Sequence, residues 1–434
     1  MSRRLWAAAL VCALGCVDRP AVITTRSVGT PATRSPQLDD CLFRALPELV
    51  IAVNESSISE APARARLVDA CPGPSRISLR LAELAAAMSI AKSASADGRP
   101  LASWLLALSR QRLNRALGVA NAAYVVDSEV VESNGQRVVL VMSFEVDEVL
   151  GFEVDGRRFS ALLARRRDRL NWSYQLLGFT NALGDEALVL LDAIDADLLV
   201  LLTSDDQRSQ LRLEALETEL EDVALGQLRA RARSYAEAWQ RLSDRAELKA
   251  LVSLGSPTSI PAPREVLDLA RQVLTPDQRR HFVAAHDRLA SDPALPAVRR
   301  HQALRTASHE VQHLVDGHQG TDLVRPVPDS TPSADAVGAE LSAYLAEMAH
   351  SPVSARSSLA RLIAFAHDDE HAGLPEAAAA RLALTALGRE LAPNPLRVSD
   401  FRPSAFDPVV LAQVARRSWE LFFGRPLARL QGPI

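Results

Sequence analysis

The chain has 434 residues, 48% of them apolar and 24% charged, which excludes a disordered chain and allows two or three domains with proper cores. Its formal net charge of −4 gives no electrostatic basis for binding nucleic acid or an anionic membrane surface. Lys92 and Lys249 are the only lysines, so the positive charge is almost all arginine, a compositional bias rather than a binding signal.

The first sixteen residues read as an export signal. Arg3 and Arg4 give a positive start, and Leu5 to Gly15 is an apolar run too short to span a bilayer. The run closes on Ala13-Leu14-Gly15-Cys16, which resembles the lipobox of bacterial lipoproteins, with Ala13 where such boxes usually carry Leu. The resemblance implies cleavage before Cys16, a lipid on its thiol, and an exported chain anchored to a membrane. An ordinary cleaved secretory signal is the alternative. Residues 17–37 are rich in Thr, Ser, Pro and Arg and fit a tether. With Cys12 in the signal and Cys16 lipidated, Cys41 and Cys71 remain, and in an oxidising compartment they read as one disulfide.

Residues 38–255 are expected to form a helical region with a small antiparallel β patch. Apolar residues recur at three and four from 38 to about 120, punctuated by Pro72-Gly73-Pro74 and Asp97-Gly98. The β patch covers 122–159. Val138, Leu140, Met142, Phe144 and Val146 alternate with their neighbours, Asn134-Gly135 predicts a hairpin turn, and Asp155-Gly156 a second. Beyond Phe159 the pattern turns helical, and Arg165-Arg166-Arg167 reads as a solvated helix face. Ala187 to Leu202 is apolar but interrupted by Asp192, Asp195 and Asp197, so it does not span a membrane. From about Asp205 to Leu254 the spacing predicts a long helix or helix pair, with a core stripe of Leu213, Leu216, Leu220 and Val223. The stripe resumes after Gly226 at Leu228, Ala232, Tyr235, Trp239 and Leu242. Pro257, Pro261 and Pro263 break it and suggest a domain boundary near 255.

Residues 256–434 are the expected chemical domain, because all nine histidines lie between His281 and His371. Residues 296 to about 316 predict one helix, opened by Pro296 and closed by Gly317. It carries His309-Glu310-Val311-Gln312-His313. Histidines four apart share a helix face, so both rings can reach one cation at the Zn–N distance of about 2.0–2.1 Å. Glu310 can reach a water on that cation and take its proton.

This pattern resembles the zincin metallopeptidases. Asp316 and Gln319 stand where a metzincin would have Gly and His, and the aspartate of Gly320-Thr321-Asp322 comes too early for an aspzincin. A gluzincin takes its third ligand from a glutamate on a later helix, and Glu340-Leu341-Ser342-Ala343-Tyr344 offers one, on a helix capped by Ser333 or Asp335. The resemblance implies an α+β, mostly helical protein whose zincin-like domain binds Zn2+ through His309, His313 and Glu340. Glu310 would then be the catalytic base and acid. Glu347 competes with Glu340 as ligand, and Asp322 is a further candidate. Tyr344 stands where many gluzincins carry an aspartate that orients a histidine. It is either an oxyanion donor or a packed tyrosine. Asp316 shares the histidine face and either orients a ring or is an idle polar residue. His350, His367 and His371 could each contact a substrate or be surface residues.

The expected function is a zinc metallopeptidase acting on peptides in the cell envelope or outside the cell. The β patch at 122–159 is expected to lend an edge strand to the substrate. The alternatives are a lipid-anchored binding or scaffold protein on a non-catalytic zincin-like domain, and hydrolysis of a non-peptide amide.

Overall fold

A computed structural model gives the fold. It describes residues 28, 34–55, 60–71, 75–133, 136–168, 177–180, 186–243, 274–319, 323, 333–367, 372–392 and 394–432. The expectations for the signal and Cys16, most of the tether, Asn134-Gly135, the proline-rich break at 253–263, Asp322 and His371 fall outside these residues. Helices dominate and a small mixed sheet completes an α+β architecture.

Ser35 caps the first helix, α1 (Pro36–Asp40), and the chain continues through a π turn (Cys41–Ala45) into α2 (Leu46–Asn54). Next come α3 (Glu60–Ala70), α4 (Arg76–Ser93) and α5 (Arg99–Val119). Cys41 and Cys71 are joined by a disulfide that ties the π turn to the end of α3. These helices share a core that also takes Tyr124, Val126, Val139 and Val141 from the sheet.

The sheet has the order β1-β2-β3-β5-β4. Its strands are β1 (Tyr124–Ser133), β2 (Gln136–Val154), β3 (Arg157–Arg166), β4 (Gly178–Thr180) and β5 (Glu186–Leu190). Asp155 and Gly156 turn β2 into β3 with φ of 51° and 77°, the second expected hairpin. The sheet is not a purely antiparallel patch at 122–159, because β3 pairs with β5 in parallel. Strand β3 also runs on through Arg166 where the sequence pattern reads as helix. Phe159, Ala161 and Leu163 pack into one core and Leu162 and Ala164 into another, so burial on both faces erases the alternation that marks a half-exposed strand. Strand β5 is hidden for the same reason.

Arg165, Arg166 and Arg167 are likewise no solvated helix face. Arg165 meets Asp147, Asp192 and Asp195, Arg166 meets Asp168, and Arg167 meets Glu145.

Helix α6 (Leu191–Thr203) follows β5 directly. The expected helix pair is α7 (Gln207–Glu219), capped by Asp206, and α8 (Leu225–Ser243). Leu213, Leu216, Leu228, Ala232, Tyr235 and Trp239 are buried in one core with Phe282, Leu295, Val298 and Val311, so the packing runs across the boundary suggested near 255. Helix α9 (Pro276–Ala290) leads into α10 (Ala294–Gln319), a 26-residue helix that continues two residues past Gly317. One side of α10 lies against β3, β4, β5 and α6, and another against α11 (Ala334–His350). A last core joins α11 to α12 (Ala355–Ala366), α13 (Pro375–Leu391) and α14 (Pro408–Phe423), the last closed by Gly424 at φ 64°. Among the described residues no helix is long and apolar enough to cross a membrane.

Candidate metal centre

His309 and His313 lie one turn apart on α10, their ring centroids 4.9 Å from each other. Glu340 enters from the second turn of α11. Its Oε2 stands 3.5 Å from His309 Nε2 and its Oε1 3.6 Å from His313 Nε2. One ligand atom from each of the three residues falls within 4.8 Å of the others, a group that could hold a metal ion. Helix α11 begins at Ser333 as expected, although the Ser333 side chain makes no cap bond.

Behind the cluster is a buried charge network. Glu347, two turns along α11 from Glu340, faces the far side of the His309 ring, with Nδ1 and Oε2 3.3 Å apart. Glu347 therefore sits behind the ring, not among the three converging groups. Its Oε1 accepts from Ser358 Oγ at 2.5 Å and lies 3.5 Å from Arg305 Nε. Arg305 and Glu347 are each 1% exposed at their side chains. Arg305 stands one turn before His309 on α10, and its Nη1 also donates to the Ser357 carbonyl. Burial pulls its guanidinium down to about 10 despite Glu347.

Burial pulls the His309 imidazole down, but Glu340 and Glu347 outweigh it and push it up to about 10. His313 goes the other way, to about 4, through burial and the charge of His309. Burial raises Glu347, but His309 and Arg305 outweigh it and hold it at about 2.

Glu310 points to the sheet. A Cβ at Gly178 of β4 would lie 2.7 Å from Glu310 Cγ, 3.0 Å from its Oε1 and 2.9 Å from the Leu188 carbonyl. Only glycine fits there, so this short strand lets the carboxyl of Glu310 sit against the sheet edge. Burial pushes that carboxyl up to about 7. Strand β4 is an edge of the described sheet. It lies outside the 122–159 patch, so the edge strand at the site is not the one the sequence suggested.

Tyr344 is buried, its ring 4.9 Å from that of His309 and 5.9 Å from that of Phe365. Asp316 does not pair with either histidine. It accepts from Gln312 Nε2 at 2.8 Å, on the α10 face toward Ser342 and Trp419. Of the other histidines, His318 packs on Phe159, His350 faces Arg416, and His367 is exposed at the end of α12. None of these three joins the cluster. The sequence pattern did not flag Gly178, Arg305 or Ser358. Arg305 carried a faint signal, one turn ahead of His309 on a helix already identified.

No protein-family model, no characterised protein and no solved structure matches this chain.

Proposed function

We propose that this chain is a zinc-dependent peptidase of the gluzincin type. The reading rests on one observation above the others: both oxygens of Glu340 face the Nε2 atoms of His309 and His313, with Glu310 beside them at a sheet edge. Two imidazoles and one carboxylate are the donor set of a catalytic zinc site, which keeps a fourth position for water. Zinc bound there would supply a Lewis acid and lower the pKa of that water.

The chain's own residues have distinct tasks in this reading. Glu347 fixes the His309 ring so that Nε2 faces the ligand position. Glu310 takes the proton of the attacking water and delivers it to the leaving amine, a role its place beside the two histidines allows. An extended peptide lying along β4 would pass beside that carboxyl. Tyr344 walls the His309 ring and is the tyrosine this reading assigns to the oxyanion. The Cys41–Cys71 disulfide supports an exported chain, in keeping with a lipid tether at Cys16 and substrates in the envelope or outside it.

The test pairs zinc content with cleavage of a peptide library. One zinc per chain and peptide cleavage are expected. Glu310→Gln should keep the zinc and lose roughly 100- to 10,000-fold in rate. Zinc with no cleavage of any peptide would leave the site to a non-peptide amide or a binding role.

A further inference from the structure

Every fourth residue of α10 from 301 to 313 is a histidine or an arginine, a spacing that puts all four on one side of the helix. Each faces a carboxylate. His313 and His309 face Glu340, His309 and Arg305 face Glu347, and His301 faces Glu219, with Nε2 and Oε2 3.0 Å apart. Glu340 and Glu347 belong to the metal centre and its backing. Glu219 has no assigned task there.

Glu219 is the last residue of α7, and its side chain is 2% exposed. Its Oε1 accepts the backbone N–H of Arg356 at 2.7 Å and that of Ser357 at 3.0 Å. Its Oε2 accepts the Ser357 hydroxyl and faces His301. The two N–H groups belong to the first turn of α12, where no earlier turn can satisfy them. Ser354, the residue before that helix, makes no side-chain cap bond. Glu219 therefore caps α12 from another helix, and its charge suits a helix N-terminus. A buried carboxylate filled by these groups holds a single geometry, so α7, α10 and the start of α12 are fixed to one another here.

The same turn of α12 touches the backing of the metal centre. Ser358 donates to Glu347 Oε1, and Glu347 Oε2 faces Nδ1 of His309. The Ser357 carbonyl accepts from Arg305 Nη1, and Arg305 faces Glu347 as well. Both contacts come from adjacent residues of the turn that Glu219 caps. A slide of this turn would carry Ser358 off Glu347 and free that carboxylate to leave the ring. We propose that Glu219 is a positioning residue of the metal centre: through the first turn of α12 it keeps Ser358 on Glu347, and so keeps the His309 ring aimed at the metal. The proposal rests on the metal site of the peptidase reading, not on the reaction.

The experiment is a double-mutant cycle in the full chain with Glu219→Ala, Ser358→Ala and both together. Zinc affinity is read by chelator competition, and the denaturation midpoint is measured on the same samples. Each single variant should weaken zinc binding on the order of 10-fold, and the double variant by little more than Ser358→Ala alone, because the route is already cut. The midpoint should behave differently: Glu219→Ala should lower it in both backgrounds, since the cap and the His301 contact are lost in each. Glu219→Gln keeps an acceptor for the two N–H groups and should recover part of the affinity. Parent-like zinc affinity in folded Glu219→Ala, or losses that multiply in the double variant, overturn the proposal. If Glu219→Ala fails to fold, the cycle is run with Glu219→Gln. A smaller zinc loss that vanishes beside Ser358→Ala then supports the proposal, and no loss, or one that persists, overturns it. Peptide cleavage by the parent keeps the two readings apart. Coupled zinc losses in a chain that cleaves no peptide sink the peptidase reading and leave Glu219 in its role, whereas cleavage with multiplying losses removes only that role. A parent chain that binds no zinc overturns both.

Discussion

Nδ1 of His309 and Oε2 of Glu347 lie 3.3 Å apart across the α10–α11 interface, and neither atom has a hydrogen-bond partner elsewhere. The same carboxylate faces Arg305 with its other oxygen. One side chain thus serves both the orientation of a candidate ligand and the neutralisation of a buried arginine. Glu347→Gln removes both, and a second substitution at Arg305 separates them. Losing the orienting charge should weaken zinc binding by roughly 10- to 100-fold. Leaving Arg305 buried without its counter-charge should cost about 3–5 kcal/mol of stability. Adding Arg305→Met should restore much of the stability without restoring zinc affinity. Chelator competition and chemical denaturation read the two effects apart; recovery of both together would mean that Glu347 acts on the metal only through folding.

Glu340→Ala tests the third ligand. Zinc content should drop from one per chain to a small fraction, while the far-UV spectrum stays that of the parent. Glu347→Gln should lose affinity but still fill at excess zinc, since that carboxylate stands behind the ring. Zinc retained at full level in Glu340→Ala would move the ligand assignment away from α11.

Gly178→Ala is the most local probe of Glu310. The added Cβ meets Glu310 Cγ at 2.7 Å and the Leu188 carbonyl at 2.9 Å, so either the edge strand or the carboxylate must move. Because β4 is short and peripheral, it should give way at a cost of about 1–3 kcal/mol. The displaced carboxylate should lower the peptidase rate with zinc content unchanged. A fully active, equally stable variant would show that β4 does not fix Glu310.

The chemical residues of this site were more legible than the scaffold that aims them. His309, Glu310 and His313 stand out because residue type and helical period coincide, and Glu340 because the resemblance calls for a glutamate on the next helix. Glu347 is different. A carboxylate two turns past Glu340 can join the candidate ligands or face the back of a histidine ring, and the crossing of α10 over α11 decides which. That crossing is a tertiary fact. Strands β3 and β5 were hidden by burial on both faces, and a three-residue strand such as β4 has too few positions for any period. Gly178 looks like an ordinary loop glycine until Glu310 is seen against it.

The disulfide links residues 30 apart in sequence. Closing a loop of that length should contribute about 2–4 kcal/mol, chiefly by restricting the unfolded chain. Cys41→Ser with Cys71→Ser should lower the melting temperature by an amount that reductant reproduces in the parent chain. The paired helices are remote from α10 in sequence and share no core with it, so zinc affinity should stay unchanged.

His350, at the end of α11, gives the chain an acid-labile point away from the three candidate ligands. Burial and the charge of Arg416 hold its imidazole down at about 3. The unfolded chain takes up that proton near pH 6.5. Between these values the unfolded state binds more protons, so stability rises with pH across the window and is lost as pH falls from about 6.5 toward 3. Its Nε2 is also buried without a partner, so an apolar replacement removes an unfilled polar atom together with the titration. At pH 7, His350→Leu should be as stable as the parent or more so. By pH 4 it should have lost about 1–3 kcal/mol less than the parent. Protonation at the His309, His313 and Glu340 cluster affects both chains alike, so the difference between their denaturation curves isolates His350. Parallel curves from pH 7 to pH 4 would mean that the imidazole is protonated in the folded chain as readily as in the unfolded one.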